Sequence, residues 1–203
     1  MKKDYDFETI YRDYFPKIYN YLVRMVGHFQ AEDLAQEVFN KIHKGLPGFK
    51  EKSSLSSWIY RIATNTAIDR MRTHTFKNEK RKEPFEINIE KTNQDILTDK
   101  KEKPIEHKII KEEMSECVRE FIERLSDDYK TVLILSEYEQ KSNKEIAKIL
   151  DISLETVKVR LFRAKAKLKE ELDSGCDFYH DDQNVLSCDR KQSNTILSKI
   201  PDS

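Results

Sequence analysis

Six cations, Lys158, Arg160, Arg163, Lys165, Lys167 and Lys169, crowd the stretch LETVKVRLFRAKAKLKEEL, which ends at Leu172. Ammonium groups at such density hold phosphates, and a guanidinium can also read a base edge with two hydrogen bonds. At 3.6 residues per turn, Val157, Leu161, Ala164, Leu168 and Leu172 fall on one narrow arc. The opposite arc carries Glu155, Val159, Phe162, Arg163 and Ala166, flanked by Lys158, Arg160 and Lys165. A short apolar helix precedes it, with Ile146, Ala147, Ile149 and Leu150 facing inward, and Asp151-Ile152-Ser153 forms the turn. This is the order of a helix-turn-helix, whose second helix enters the major groove. A run of charge can also be an ordinary solvated face. Exposed Phe162 and Val159, and the scarcity of acids at helical spacing, favour DNA.

A second candidate group lies beyond that helix. Cys176, His180 and Cys188 occur in DSGCDFYHDDQNVLSCDRKQSNTILSKIPDS, near Asp177, Asp181 and Asp182. Thiolates and imidazole bind zinc, but the spacing matches no standard finger and a fourth ligand is not evident, so no metal or other cofactor is expected. The thiol pair fits a redox switch, a partner contact or an unstructured tail with two ordinary cysteines. Enzymatic chemistry has little support. The chain has no phosphate-cradling glycine loop, no HExxH and no triad-like arrangement. His28, His43, His74 and His107 read as surface or packing residues.

The elements that position these groups are helical. Charged residues make up 36% of the 203, glycine and proline are scarce, and positive and negative charges balance at 37 each. The expected fold is all-α: two small helical domains joined by a flexible linker, the second containing the helix-turn-helix. Residues 6–74 form the first domain. Phe7, Ile10, Tyr11, Tyr14 and Phe15 start a stripe that Ile18, Tyr21, Leu22, Met25 and Val26 continue past Pro16. A helix over 31–46 and another over 55–72 follow, separated by the breaker LPGFKEKSS. Residues 75–107 hold eight acids, eight bases and two prolines without periodicity, which predicts a linker. Helical spacing resumes over 108–172, with Ser142 as a cap and Glu145 in the first turn of its helix. Residues 173–203 form a cysteine-containing tail. No apolar run spans a bilayer and MKKDYDFETIYRDYF is no signal peptide, so a cytoplasmic protein with reduced Cys117, Cys176 and Cys188 is expected. A net charge of zero confines nucleic-acid contact to local patches.

Two stretches carry a family resemblance. AEDLAQEVFNKIHKGLPGFKEKSSLSSWIYRIATNTAIDRMR resembles the promoter-melting domain of bacterial sigma factors of the extracytoplasmic-function (ECF) group. LSDDYKTVLILSEYEQKSNKEIAKILDISLETVKVRLFRAKAKLKEEL resembles the promoter-binding domain of the same group, in the right order. The resemblance implies a non-catalytic subunit that binds core RNA polymerase and promoter DNA and is held by an anti-sigma factor. It implies that Asp33, Gln36 and Glu37 dock on the polymerase clamp, although spacing alone also fits a solvated face. For the minus-ten element it implies Phe49, Lys50, Lys52, Trp58, Tyr60, Arg61 and Asn65, where a flipped base needs stacking surfaces and hydrogen bonds. Trp58 fits the core of an amphipathic helix equally well. For the minus-thirty-five element it implies Glu155, Thr156, Lys158, Val159, Phe162 and Arg163. The alternative function is a stand-alone helix-turn-helix regulator, which would have no use for a strand-capturing loop.

Overall fold

The computed structural model describes residues 5–73, 118–180 and 186–191. The expected linker, His74, His107, Cys117 and the last twelve residues lie outside the described part. The described residues fall into two compact units, one holding 5–73 and 125–165, the other 118–124, 166–180 and 186–191.

In the first unit, α1 spans Phe7–Val26, α2 His28–Gly45 and α3 Leu55–Arg72. Asp6 starts α1 by accepting the Thr9 amide at 2.9 Å. Pro16 cannot donate to the turn before it, yet α1 runs through, with Pro16 on the exposed side of the helix. Gly27 sits at φ +89°, a conformation that favours glycine, and lets α2 begin at His28, three residues before the expected start. Ile18, Tyr21, Leu22 and Met25 interlock with Leu34, Ala35, Val38 and Ile42 and with Ile59, Ala63 and Ala67, all fully buried. The Tyr21 hydroxyl is satisfied by Thr64 Oγ1 at 2.8 Å, and burial pushes its pKa up. The breaker between α2 and α3 is a short 3-10 turn, Leu46–Gly48, and Ser54 caps α3.

Three further helices include the helix-turn-helix. α4 is Asp127–Leu133 and passes directly into a wider π-helical turn, Ile134–Tyr138. α5 is Asn143–Leu150, opened by a complete capping box in which Ser142 and Glu145 bond reciprocally. The left-handed Asp151 (φ 56°) ends α5, and α6 runs over Leu154–Gly175. Val132, Leu133, Ile134, Leu135, Ile146, Ile149 and Val157 close this core.

The second unit contains the end of α6, helical residues 118–123 and two strands, β1 (Cys176–His180) and β2 (Leu186–Arg190). The strands pair antiparallel, with Cys176 opposite Arg190 and Phe178 opposite Cys188. Sequence reading anticipates no strand here. Its physical cause is local: Cys176 is buried against Phe121, and Leu168, Leu172 and Cys188 pack around them. The β-prone Phe178 and Tyr179 extend the strand from that anchor.

Candidate nucleic-acid interface

α6 divides its cations between two duties. Arg160 pairs with Asp128 at 3.0 Å and Lys165 with Glu137 at 2.9 Å, which ties the helix to α4 and the π turn. The Lys165 ammonium, aided by the Ser136 hydroxyl, holds the Glu137 carboxyl below its ordinary pKa. Lys167 pairs along the helix with Glu170 and Glu171. Among the described residues, Lys158 and Arg163 make no ion pair and point outward with Glu155. Beside them Phe162 is 76% exposed and Val159 47% exposed, while Val157, Leu161 and Ala164 are buried on the opposite side. Exposing a large apolar side chain is unfavourable by about 1.5–3 kcal/mol relative to burying it. A helix that is basic and apolar on its outer face is therefore built for a partner. Thr156 is half-buried: its amide donates to the Ser153 Oγ at 3.0 Å and its hydroxyl bonds the same atom.

The acidic ridge lies on the outside of α2. Asp33 and Gln36 are exposed, and half-exposed Glu37 reaches Lys41 at 2.7 Å and Arg70 at 4.0 Å. Phe29, 78% exposed, stands one turn before Asp33. Sequence reading passed over it because one phenylalanine beside a helix start carries no periodic signal.

The candidates for strand capture separate into three environments. Lys50 and Lys52 are exposed on the loop. Half-buried Phe49 packs between Tyr5, at 5.6 Å, and Trp58, at 5.0 Å. Trp58 lies on Gly45, where even a methyl group would come within 3.1 Å of the indole, so its ring belongs in part to the packing between α2 and α3. Arg61, Asn65 and Asp69 follow each other along one side of α3. Asn65, Ile68, Asp69 and Arg72 form one wall of a polar cavity of about 420 Å³, and Asp128, Thr131, Leu150 and Arg160 form the other.

Tyr60 is different, being 2% exposed. Its hydroxyl donates to Glu139 Oε2 at 2.6 Å, and Arg24 reaches the other oxygen of that carboxylate at 3.0 Å. Lys141 lies over the Tyr60 ring, 4.2 Å from its centroid, and bonds Ser56 Oγ. Burial, together with the Glu139 charge, pushes the Tyr60 pKa up, and burial lowers that of Lys141. Arg61 donates to the Lys148 carbonyl at 2.9 Å and to Asp151 Oδ1 at 3.1 Å. Sequence reading missed Glu139, which sits in the polar run SEYEQKSN. The π turn aims it: the Glu139 amide bonds Ile134 O at 3.0 Å and the Lys141 amide Leu135 O at 2.9 Å.

The third group comes together only in part: Cys188 packs against the apolar cluster that buries Cys176, His180 is exposed, and Asp181 and Asp182 lie outside the described residues. Among the described residues no three His, Cys, Asp or Glu side chains gather as a metal site. No helix among the described residues is long and apolar enough to cross a membrane.

Comparison with known proteins places both halves of this surface in one family. Residues 10–76 match Sigma-70 region 2, and residues 115–168 match Sigma-70, region 4. The RNA polymerase sigma factor YlaC of Bacillus subtilis is 35% identical over 173 residues, covering 85% of this chain and 95% of its own. The ECF RNA polymerase sigma factor SigW of the same organism is 34% identical, covering 82% and 87%. Two solved structures share the fold. The sigma factor RpoE, crystallised with the anti-sigma factor NepR from Bartonella quintana, matches with a TM-score of 0.61 at 21% identity, over 83% of this chain and 97% of its own. CnrH in complex with the cytosolic domain of CnrY matches with a TM-score of 0.57 at 19% identity, over 83% and 88%. With both regions present in order, and relatives this similar along nearly their whole length, the chain belongs to the ECF group of RNA polymerase sigma factors, which bind core polymerase and direct it to promoters.

Proposed function

We propose that this sigma factor divides promoter recognition among the three surfaces described above. The α2 ridge of Asp33, Gln36 and Glu37 docks on core polymerase. The loop after α2 and the start of α3 take the unpaired minus-ten strand, with Phe49 and Trp58 stacking, Asn65 reading a base and Lys50, Lys52 and Arg61 following the phosphates. Tyr60 joins them once it is uncovered. α6 enters the major groove at minus thirty-five, with Arg163 and Phe162 toward the bases and Lys158 and Thr156 toward the backbone. The domains for this work are 6–74 and 108–172, with 75–107 as tether and 173–203 as an accessory tail. The chain supplies no catalytic group of its own and works in the cytoplasm, where its polymerase is. A protein of the anti-sigma kind, as named with the RpoE neighbour, restrains it.

The observation that carries this reading is the outer face of α6, where Phe162 and Val159 are exposed beside two outward-pointing cations. The test is reconstitution with core polymerase and run-off transcription from genomic fragments. Asp33→Ala is expected to weaken polymerase binding without changing duplex contacts. Arg163→Ala is expected to lose discrimination at one base pair, about 1–3 kcal/mol, with polymerase affinity intact. Wild-type chain that binds duplex DNA but has no affinity for core enzyme would refute the assignment of the ridge.

A further inference from the structure

Two of the donors that strand capture would use, Tyr60 and Arg61, are already occupied. Tyr60 gives its hydroxyl to Glu139, and the same carboxylate holds Arg24. Arg61 gives one nitrogen to the Lys148 carbonyl in the last turn of α5 and another to Asp151. That carbonyl is among those a helix C-terminus leaves unpaired, where the helix carries partial negative charge. A guanidinium, a phenol and a second guanidinium thus meet a carboxylate with two bonded oxygens, a negative helix end and a second carboxylate. These acceptors are of the kind a phosphodiester offers.

We infer that residues 139–151 act as an intramolecular stand-in for the DNA backbone, so that Glu139 and Asp151 compete with the single strand for Tyr60, Arg61 and Arg24. The inference rests on the reading of α3 as the strand-capturing face and adds a regulatory contact to it. Its structural requirement is plain: Tyr60, 2% exposed, cannot reach a base while Glu139 covers it. Glu139 also has the burial expected of a fixed partner, since its side chain is 8% exposed and Arg24 is 26% exposed. Asp151, at 87%, is the outer and weaker contact. If covered chains outnumber uncovered ones by about ten to one, apparent affinity for the strand lies about tenfold below its intrinsic value.

The test uses the full chain, a fluorescent single-stranded oligonucleotide of mixed sequence, and hydrogen exchange over 55–61 and 143–151. Glu139→Gln keeps the shape and removes the charge. It is expected to speed exchange in both segments and to tighten oligonucleotide binding by about tenfold. Asp151→Asn, at an exposed left-handed position that asparagine tolerates, keeps the test open if the first variant folds poorly. It is expected to tighten binding by a factor of about two to three. Asp173→Asn removes one exposed charge elsewhere and is expected to change affinity by less than about twofold. Equal gains in Asp173→Asn and Glu139→Gln would reduce the effect to net charge and overturn the inference. So would unchanged exchange and unchanged affinity in Glu139→Gln. Faster exchange without tighter binding would show that the contact opens but does not compete with DNA, and would reject the strand-capturing face itself. Adding Arg61→Ala to Glu139→Gln is expected to abolish the gain.

Discussion

Lys130 offers a sharp test of what joins α4 to the α1–α3 bundle. It is 2% exposed, and its ammonium donates to the Met25 carbonyl at 2.8 Å. Met25 lies in the last turn of α1, where carbonyls lack a helical partner and the helix end favours a cation. Replacing Lys130 by Met keeps the aliphatic stem and removes the charge. Two effects oppose each other. The lost charge-assisted hydrogen bond is worth about 1.5–3 kcal/mol, and the abandoned carbonyl adds to the cost. Removing a desolvated ammonium relieves a penalty of several kcal/mol, which is why some buried ions can be replaced without loss. Here the acceptor is a neutral carbonyl that already sits in a favourable helix-end field, so the bond wins. The expected loss is about 2 kcal/mol, whereas Lys130→Ala loses roughly 2 kcal/mol more through the vacated volume. Urea unfolding followed through Trp58, the chain's single tryptophan, reads both. With a slope of about 2 kcal/mol per molar, the Met variant should melt about 1 M earlier. A Met variant as stable as the parent, or more so, would refute the reasoning.

The Ser142→Ala variant should cost about 1 kcal/mol, because it breaks the capping box of α5. Ser142 also holds the Glu145 carboxyl below its ordinary 4.5 through its hydroxyl and amide. A carboxyl lowered in the folded state stabilises above that ordinary value, and the contribution is lost as pH falls through the folded one. Thermal melts from about pH 6 down to pH 3 should therefore show a shallower acid loss in Ser142→Ala than in the parent. Gly175→Ala would drive a methyl to within 2.4 Å of the Phe121 ring, and should destabilise the second unit by about 1–3 kcal/mol, read as faster exchange in β1 and β2. Phe162→Ala should leave melting within about 0.5 kcal/mol of the parent, since the ring is exposed, while lowering promoter affinity of the holoenzyme at least fivefold, roughly 1 kcal/mol.

Much of this architecture was legible because it is periodic or capped. The expected α3, 55–72, coincides with the observed Leu55–Arg72, and the turn at Asp151 and the capping of α5 follow from short-range chemistry. α2 begins earlier than expected because Gly27 could be read as an end but not as the positive-φ corner from which the next helix starts at once. The hairpin at Cys176 was illegible for another reason. Its anchor is Phe121, more than fifty residues away, and only that contact turns two cysteines and a pair of aromatics from a tail into a strand.

The harder part was to know which cations are occupied. The chain has as many acids as bases, so no count of charge distinguishes a cation awaiting DNA from one paired at home. On α6 the answer depends on angle. Arg160 and Lys165 turn toward Asp128 and Glu137, whereas Lys158 and Arg163 turn away. On α3 it depends on a bond 79 residues long in sequence, from Tyr60 to Glu139, set by a π turn that no helical periodicity announces. The same property that suits Arg61 to a phosphate, a fork of donors seeking an anion, also makes it bond the end of α5 when DNA is absent. A basic surface that must wait for its ligand will find acids of its own. In this chain Tyr60 and Arg61 of α3 are covered, while on α6 the occupied cations turn inward and the face that carries Phe162, Lys158 and Arg163 stays open.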